Sequence, residues 1–431
     1  MRRAPKRGAG SSGPFTTLHL TNAYHASSGG VRTFYHALLS AAERHGRRMH
    51  LVVPGERDRV ERTGHAGRIH HVAAAPAPCI DTRYRLLRPA SYLTASSPIA
   101  RLLDRIRPDI VAVCDKYSLV LLARLLRRGW LVQGARPTVI GASAERFDDA
   151  VRTHVTDGRV GARLASWYVR YVYHASFDAH VANSPYSAEE LRTGDHAARP
   201  VYVSTPGVSA DVFGRASRDH GLRERLLRLA GGGRDDLLLL YAGRIAGEKH
   251  LDLLIDALAV LQRDGYPRTA RLVLVGDGPD RERLLARAAA VAPSRTHMVG
   301  HLDSPAALAT HYASADVFVH PNPHEPFGIG PLEAMAAGTP VVVSDRGGVR
   351  TYAHEGNAWL ARPDGAAIAH AIRQAAAGRD ESRLAAARRT AADYDWQAVA
   401  HRYFATLDLA HRRRMRRLDL SAAWPADAAT G

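Results

Sequence analysis

A short run of β-branched residues or leucines, a turn rich in Gly, Pro or Asp, and then a helical pattern recur along the whole chain. That rhythm is the signature of crossover units on a parallel sheet. In the first half it predicts strands over 16–20, 49–53, 68–72, 109–113, 138–142 and 178–182, with helices over 30–46, 98–107, 117–128 and 160–175. A second series follows the segment 200–213, with strands over 237–241, 271–276, 297–299, 316–320 and 340–344 and helices over 249–263, 280–291, 304–313 and 330–337. Residues 218–235 read as a helix followed by a glycine-rich loop. An uninterrupted apolar strand such as LLLLY (237–241) needs helices on both of its faces.

A length of 431 residues exceeds what one core usually holds. Two doubly wound, Rossmann-like α/β domains are expected, over 15–205 and 206–392, facing each other across a cleft with ligands at the carboxyl ends of the strands. The tail 393–418 reads as one long helix tying the domains together. Its Trp396, Val399, Tyr403 and Leu407 recur at three- and four-residue spacing and form an apolar stripe.

Composition narrows the class. The chain is 46% hydrophobic and 23% charged, which is ordinary for a globular protein. Residues 1–14 lead into no apolar run of signal-peptide type, and no run of about 18 apolar residues suggests a membrane span. Cys79 and Cys114 lack metal-ligand spacing, so a reducing, cytoplasmic compartment is expected. The net charge of +17 has sharp ends in RRAPKR near the start and HRRRMRR at 411–417. It is not accompanied by zinc-finger spacing, a Gly-rich RNA clamp or aromatic-interleaved basic strands, so nucleic acid is not the expected partner. A basic surface touching phospholipid headgroups, at the inner face of a membrane, fits better. The arginine-rich habit of a GC-rich genome is the plain alternative.

Chemistry concentrates in the second half. In YAGRIAGEKHLDLLIDAL (241–258) a buried strand ends at glycine and Arg244 follows, with Lys249 near a helix opening. Two cations beside free backbone N–H groups suit a diphosphate; pairing with Glu248 or Asp252 at the surface is the competing reading. The block HPNPHEPFGIGPLEAMAAGTPVVVSDRGG (320–348) places Glu325 in a loop and Glu333 on the first turns of a helix. Between them Gly328 and Gly330 let the backbone pass close to a ligand, and Phe327 and Ile329 beside them are further donor-binding candidates. Glu333 is suited to the vicinal hydroxyls of a ribose, and Glu325 to sugar hydroxyls near the reacting carbon. Gly276, in VGDGPD (275–280), either lets a base or ribose approach or serves an ordinary strand-to-helix turn. His320 reads as a structural histidine, and His324 as a loop residue beside Glu325.

GRIAGEKHLDLLIDA, VGDGP and HEPFGIGPLEAMAAGTPVVVSDRGG resemble the retaining, GT-B-fold glycosyltransferases of family four, most strongly over 237–350. The resemblance implies an enzyme that moves a hexose from a nucleotide diphosphate sugar, of GDP-mannose or UDP-glucose type, to a hydroxyl acceptor such as a lipid or small glycoside. It assigns the donor diphosphate to Arg244 and Lys249, the transferred sugar to Glu325 and the ribose to Glu333. It implies no metal and no cofactor besides the donor.

In the first half, NAYHASSGGVRTFYHALLSAA (22–42) matches the family's Gly-Gly turn with Gly29 and Gly30 after Ser28, facing the donor phosphate. Arg32 either meets an anionic acceptor or donor phosphate or stays solvated. Lys116, in VAVCDKYSLVLLARLL (111–126), and Glu145 and Arg146, in VIGASAERFDDA (139–150), are the acceptor-side candidates. Related sequences carry a histidine facing the sugar where this chain has Ala144. His25 and Lys116 are candidate substitutes; the alternatives are a slower, altered or non-catalytic sugar-nucleotide-binding protein, or a nucleotide-sugar epimerase on the same fold. In NSPYSAEEL (183–191), Ser187 and Glu190 read as a capping box.

Overall fold

The computed structural model describes residues 14–24, 29–77, 81–149, 158–192, 199–214, 218–378 and 380–423. The chain divides into two compact units, Met1–Thr205 with Val399–Gly431, and Pro206–Ala398. Each is built on one twisted α/β sheet.

The first unit begins with β1 (Phe15–Thr21), β2 (Arg47–Gly55), β3 (Arg59–Thr63) and β4 (Gly67–Ala73). A small hairpin, β5 (Pro76–Ala77) and β6 (Asp81–Arg85), precedes β7 (Ile110–Cys114), β8 (Thr138–Ser143), β9 (Ala179–Ala182) and β10 (Val201–Val203). Eight of these strands form one sheet in the order β10-β9-β8-β7-β1-β2-β4-β3. All neighbours are parallel except β3, which lies antiparallel on the edge. Its helices include α1 (Gly29–Ala41), α2 (Pro98–Ile106), α3 (Val120–Arg127), α4 (Gly158–Tyr168) and α5 (Pro185–Leu191).

In the second unit β11 (Leu237–Ala242), β12 (Ala270–Val275), β13 (Thr296–Gly300), β14 (Val317–His320), β15 (Val341–Ser344) and β16 (Trp359–Ala361) run parallel in the order β13-β12-β11-β14-β15-β16. Helices α6 (Ala210–Phe213), α7 (His220–Leu229), α8 (Asp252–Arg263), α9 (Arg281–Val291), α10 (Pro305–Ser314), α11 (Ile329–Ala336), α12 (Gly365–Ala376) and α13 (Glu381–Asp393) cover it. The apolar strand β11 serves both faces as its period of two demands. Leu238 and Leu240 enter one core, while Leu237, Leu239 and Tyr241 enter the other.

The last helix, α14 (Trp396–Ala423), starts in the second unit and runs into the first. Tyr403, Phe404, Leu407 and Ala410 join the core on one face of the first sheet. Each large side chain buried there contributes about 1.5–3 kcal/mol. Arg47, buried in β2, fixes the register by pairing with Asp408 at 2.6 Å and lying over the Phe404 ring. The basic end of this helix is partly structural, since Arg414 donates to the Arg136 carbonyl and reaches Asp178 at 3.6 Å. No helix among the described residues is long and apolar enough to cross a membrane.

Candidate active site

In the second unit the carboxyl ends of β11 and β14 meet the loop that carries Glu325. Lys249 closes a single tight turn, Gly247–Lys249, rather than opening α8, which starts three residues later. Its Nζ lies 2.9 Å from Oε2 of Glu325. The same oxygen accepts from Asn322 Nδ2 at 3.0 Å and faces His320 Nε2 at 3.0 Å. Three groups therefore converge on one oxygen, and among the described residues none donates to Oε1. Burial alone would raise the Glu325 carboxyl, but the Lys249 ammonium and the His320 imidazole hold it well below the usual carboxylate range. Burial opposes the charge on Lys249 as well, yet Glu325 more than offsets it and raises the ammonium above its ordinary value. Arg244 is half-exposed, with Nη1 3.6 Å from Glu248. Asp252, the other carboxylate weighed as its surface partner, instead takes Arg283 and Arg287.

His320 thus departs from the expectation of a structural histidine. It is the last residue of β14, and the carboxyl end of a strand is where such sheets present functional groups. That signal could have singled it out.

Glycines hold the loop. Gly328 caps α11 at φ +85°, a conformation only glycine adopts cheaply, and its carbonyl accepts from the Tyr352 hydroxyl. A Cβ on Gly348 would sit 1.8 Å from the Pro326 carbonyl, and the Gly348 amide donates to Glu325 O at 2.6 Å. Gly276 is dictated by a neighbouring backbone, since a Cβ there would lie 1.9 Å from the Gly243 carbonyl. It locks the Arg244 turn without any ligand being needed to explain it. Phe327, expected among the donor-binding residues, lies in the same loop. Its ring is buried against Tyr352 and Tyr394, where it anchors the loop. Ile329 and Gly330 form the first turn of α11, whose leading N–H groups have no intrahelical partner.

Glu333, one turn on, accepts from the Tyr312 hydroxyl at 2.8 Å. Burial pushes its carboxyl up to about 7, against the lowering effect of that hydrogen bond.

The first unit's candidates are spent differently. Lys116 is buried, 2.6 Å from Glu190 and donating to the Glu145 carbonyl. Glu190 also accepts from the amides of Phe147 and Asp148. It is therefore not part of a capping box: Ser184 caps α5 by accepting from the Ser187 amide, because Pro185 takes the first helical position. Arg146 makes a two-pronged pair with Asp148 and stacks on Tyr186. Glu145 is exposed, with the Tyr117 hydroxyl 3.5 Å away. The Ala144 carbonyl is held by Asn183. Gly29 and Gly30 are exposed at the start of α1, with Arg32 exposed on its first turn. His25, Ser28, Cys79 and the basic head up to residue 13 lie outside the described residues. Among the described residues no group of three or more His, Cys, Asp or Glu is placed to hold a metal ion.

The same division appears in comparisons with known proteins. Residues 28–212 match Glycosyltransferase Family 4, and residues 231–392 match the Glycosyl transferases group 1 family. A GDP-mannose-dependent alpha-(1-6)-phosphatidylinositol dimannoside mannosyltransferase of Mycobacterium tuberculosis is 32% identical over 397 residues, covering 90% of this chain and 95% of the relative. The chain is a GT-B glycosyltransferase of family four. Among solved structures, this glycosyltransferase superposes on sucrose-phosphate synthase from Thermosynechococcus elongatus with a TM-score of 0.71 at 20% identity, over 94% of this chain and 100% of that one. A glycosyltransferase involved in lipopolysaccharide biosynthesis gives a TM-score of 0.64 at 18% identity, over 91% and 99%. These two establish the fold. Family membership brings with it transfer of a sugar from a nucleotide-sugar donor to an acceptor.

Proposed function

We propose that this glycosyltransferase is a retaining mannosyltransferase, moving mannose from GDP-mannose to a hydroxyl of a lipid-linked acceptor. The second unit takes the donor and the first the acceptor. The observation that carries the reading is the Lys249–Glu325 pair, an accessible cation and a carboxylate with one uncommitted oxygen at the ends of buried strands. The near full-length similarity to a GDP-mannose-dependent enzyme acting on a phosphatidylinositol mannoside supports the choice of donor and acceptor.

In this reading Arg244 and Lys249 neutralise the diphosphate, Glu325 holds hydroxyls of the transferred mannose, and Glu333 holds the ribose. The acceptor hydroxyl attacks the anomeric carbon from the face that the diphosphate leaves. As the carbon–oxygen bond to the diphosphate breaks, the new glycosidic bond forms and the hydroxyl proton passes to the departing phosphate oxygen. The protein supplies charge stabilisation rather than a side-chain base. Ala144 in place of histidine is compatible with that chemistry, because the proton acceptor belongs to the donor.

A panel of nucleotide sugars, each with and without phosphatidylinositol mannoside, tests the reading by nucleotide release. GDP release from GDP-mannose that rises with acceptor, with an α-linked product, is expected. Tight binding of donors without turnover would instead make the chain a sugar-nucleotide-binding protein.

A further inference from the structure

The segment that runs from α4 through a π-helical turn (Val169–Tyr173) to Ser176 reads GRVGARLASWYVRYVYHAS. One of its faces packs inward through Ala165, Val169 and Tyr173. The opposite face carries Leu164, Trp167 and Tyr171 at 63%, 57% and 55% exposure, in a row of three- and four-residue steps. Trp167 and Tyr171 lie with ring centroids 6.2 Å apart. Exposed Arg163 and Arg170 flank them, with Arg170 over the Tyr171 ring, and all 19 residues of the segment include no Asp or Glu.

We propose that this face docks on an anionic phospholipid surface. Trp and Tyr favour the headgroup boundary, where an apolar body and a polar tip are both satisfied, while Leu enters the acyl region. Arginines close to an anionic surface add electrostatic attraction to it. A protein partner fits less well, since three half-exposed side chains fall far short of the ~800 Å² per partner that a stable interface buries. The face also adjoins the acceptor-side loops. Tyr168 packs on Phe147, which packs on Tyr117, and the Tyr168 hydroxyl donates to the Lys116 carbonyl at 2.7 Å. A lipid-linked acceptor in the membrane plane would thus be met beside those loops. The inference deepens the lipid-acceptor reading and rests on it.

Co-sedimentation of the full chain with vesicles of phosphatidylcholine alone, and of phosphatidylcholine with phosphatidylglycerol, tests it. Binding to the anionic vesicles is expected, about tenfold weaker for W167A/Y171A, and R163E/R170E should lose the preference for phosphatidylglycerol. Brominated lipid should quench a share of the tryptophan emission that W167F lacks. Both double variants should keep the wild-type circular dichroism spectrum and the wild-type rate with a water-soluble mannoside. Undiminished binding by W167A/Y171A would place attachment at the basic ends and overturn the proposal, as would equal binding to neutral vesicles or none by the wild type. Self-association abolished by W167A/Y171A would identify a second copy as the occupant and overturn it too. Failure of wild-type transfer to any acceptor sinks the mannosyltransferase reading alone, because vesicle binding is scored separately.

Discussion

Each unit contains a lysine–glutamate pair close to the end of a parallel strand, and the two pairs do opposite work. Lys116 and Glu190 are 2.6 Å apart with side chains 2% and 5% exposed. The remaining capacity of both is used on backbone groups of the loop at 145–148. Lys249 and Glu325 are 2.9 Å apart at 21% and 11% exposure, and one carboxylate oxygen is left over. Closure turns the first pair into a knot that holds loops. Access turns the second into a place where a ligand can compete for the cation. Similar residues, read from sequence, say little about which of these will result.

The largest effect that separates them is on stability. Lys116→Ala strands a carboxylate inside the first unit and is expected to cost about 3–5 kcal/mol, read as a lowered denaturant midpoint. Donor affinity should be unchanged in the folded fraction. A variant that keeps wild-type stability but loses turnover would break the comparison and return Lys116 to the acceptor site. Lys249→Ala and Glu325→Ala should behave in the reverse sense, each lowering turnover by at least ~100-fold through lost transition-state contacts. Near-normal rates in either variant, measured by product formation at saturating donor, would remove the pair from the site.

What the sequence could and could not reveal follows the same line. Strands buried on both faces, such as Leu237–Ala242 and Val341–Ser344, advertise themselves as continuous apolar runs. The edge strand Arg59–Thr63 does not, because RVERT is almost wholly exposed and carries no apolar alternation. Helices α12 and α13 pass unnoticed for a related reason, their buried faces consisting largely of alanine, which contrasts weakly with the exposed positions. At the site, the glutamates and cations stand out by chemistry and spacing. Partner choice does not, since Lys116 finds Glu190 across 74 residues and Lys249 finds Glu325 across 76. Nor does Phe327, a motif residue whose ring the fold needs for its core.

His320 and Asn322 sharpen the comparison on a smaller scale. Both address the oxygen of Glu325 that Lys249 also holds, so they keep the carboxylate oriented if a diphosphate draws the ammonium away. Losing one hydrogen bond to a charged group is worth about 1.5 kcal/mol or more, so His320→Ala and Asn322→Ala should each lower kcat about tenfold. The KM for the donor should change little. A rise in KM at constant kcat would mean that these residues bind the donor directly rather than position Glu325.

Glu333 offers a test that needs no structural disruption. Its carboxyl is raised from the ordinary 4.5 to about 7 by burial, so between those values the folded unit holds a proton that the unfolded chain has released. The unliganded unit should therefore lose stability as pH climbs through that window. Ribose hydroxyls donate to the ionised form and pull the carboxyl back down, so donor binding should expel the proton. GDP-mannose, whose diphosphate has no terminal phosphate group to titrate in that range, is then expected to bind about tenfold more tightly near pH 8 than near pH 6, the factor set by the fraction of Glu333 ionised before binding. Glu333→Gln cannot ionise, and isothermal titration across that range should give it a flat profile. A wild-type profile that is equally flat would mean that the ribose lies elsewhere, leaving Arg244, Lys249 and Glu325 to anchor the donor reading.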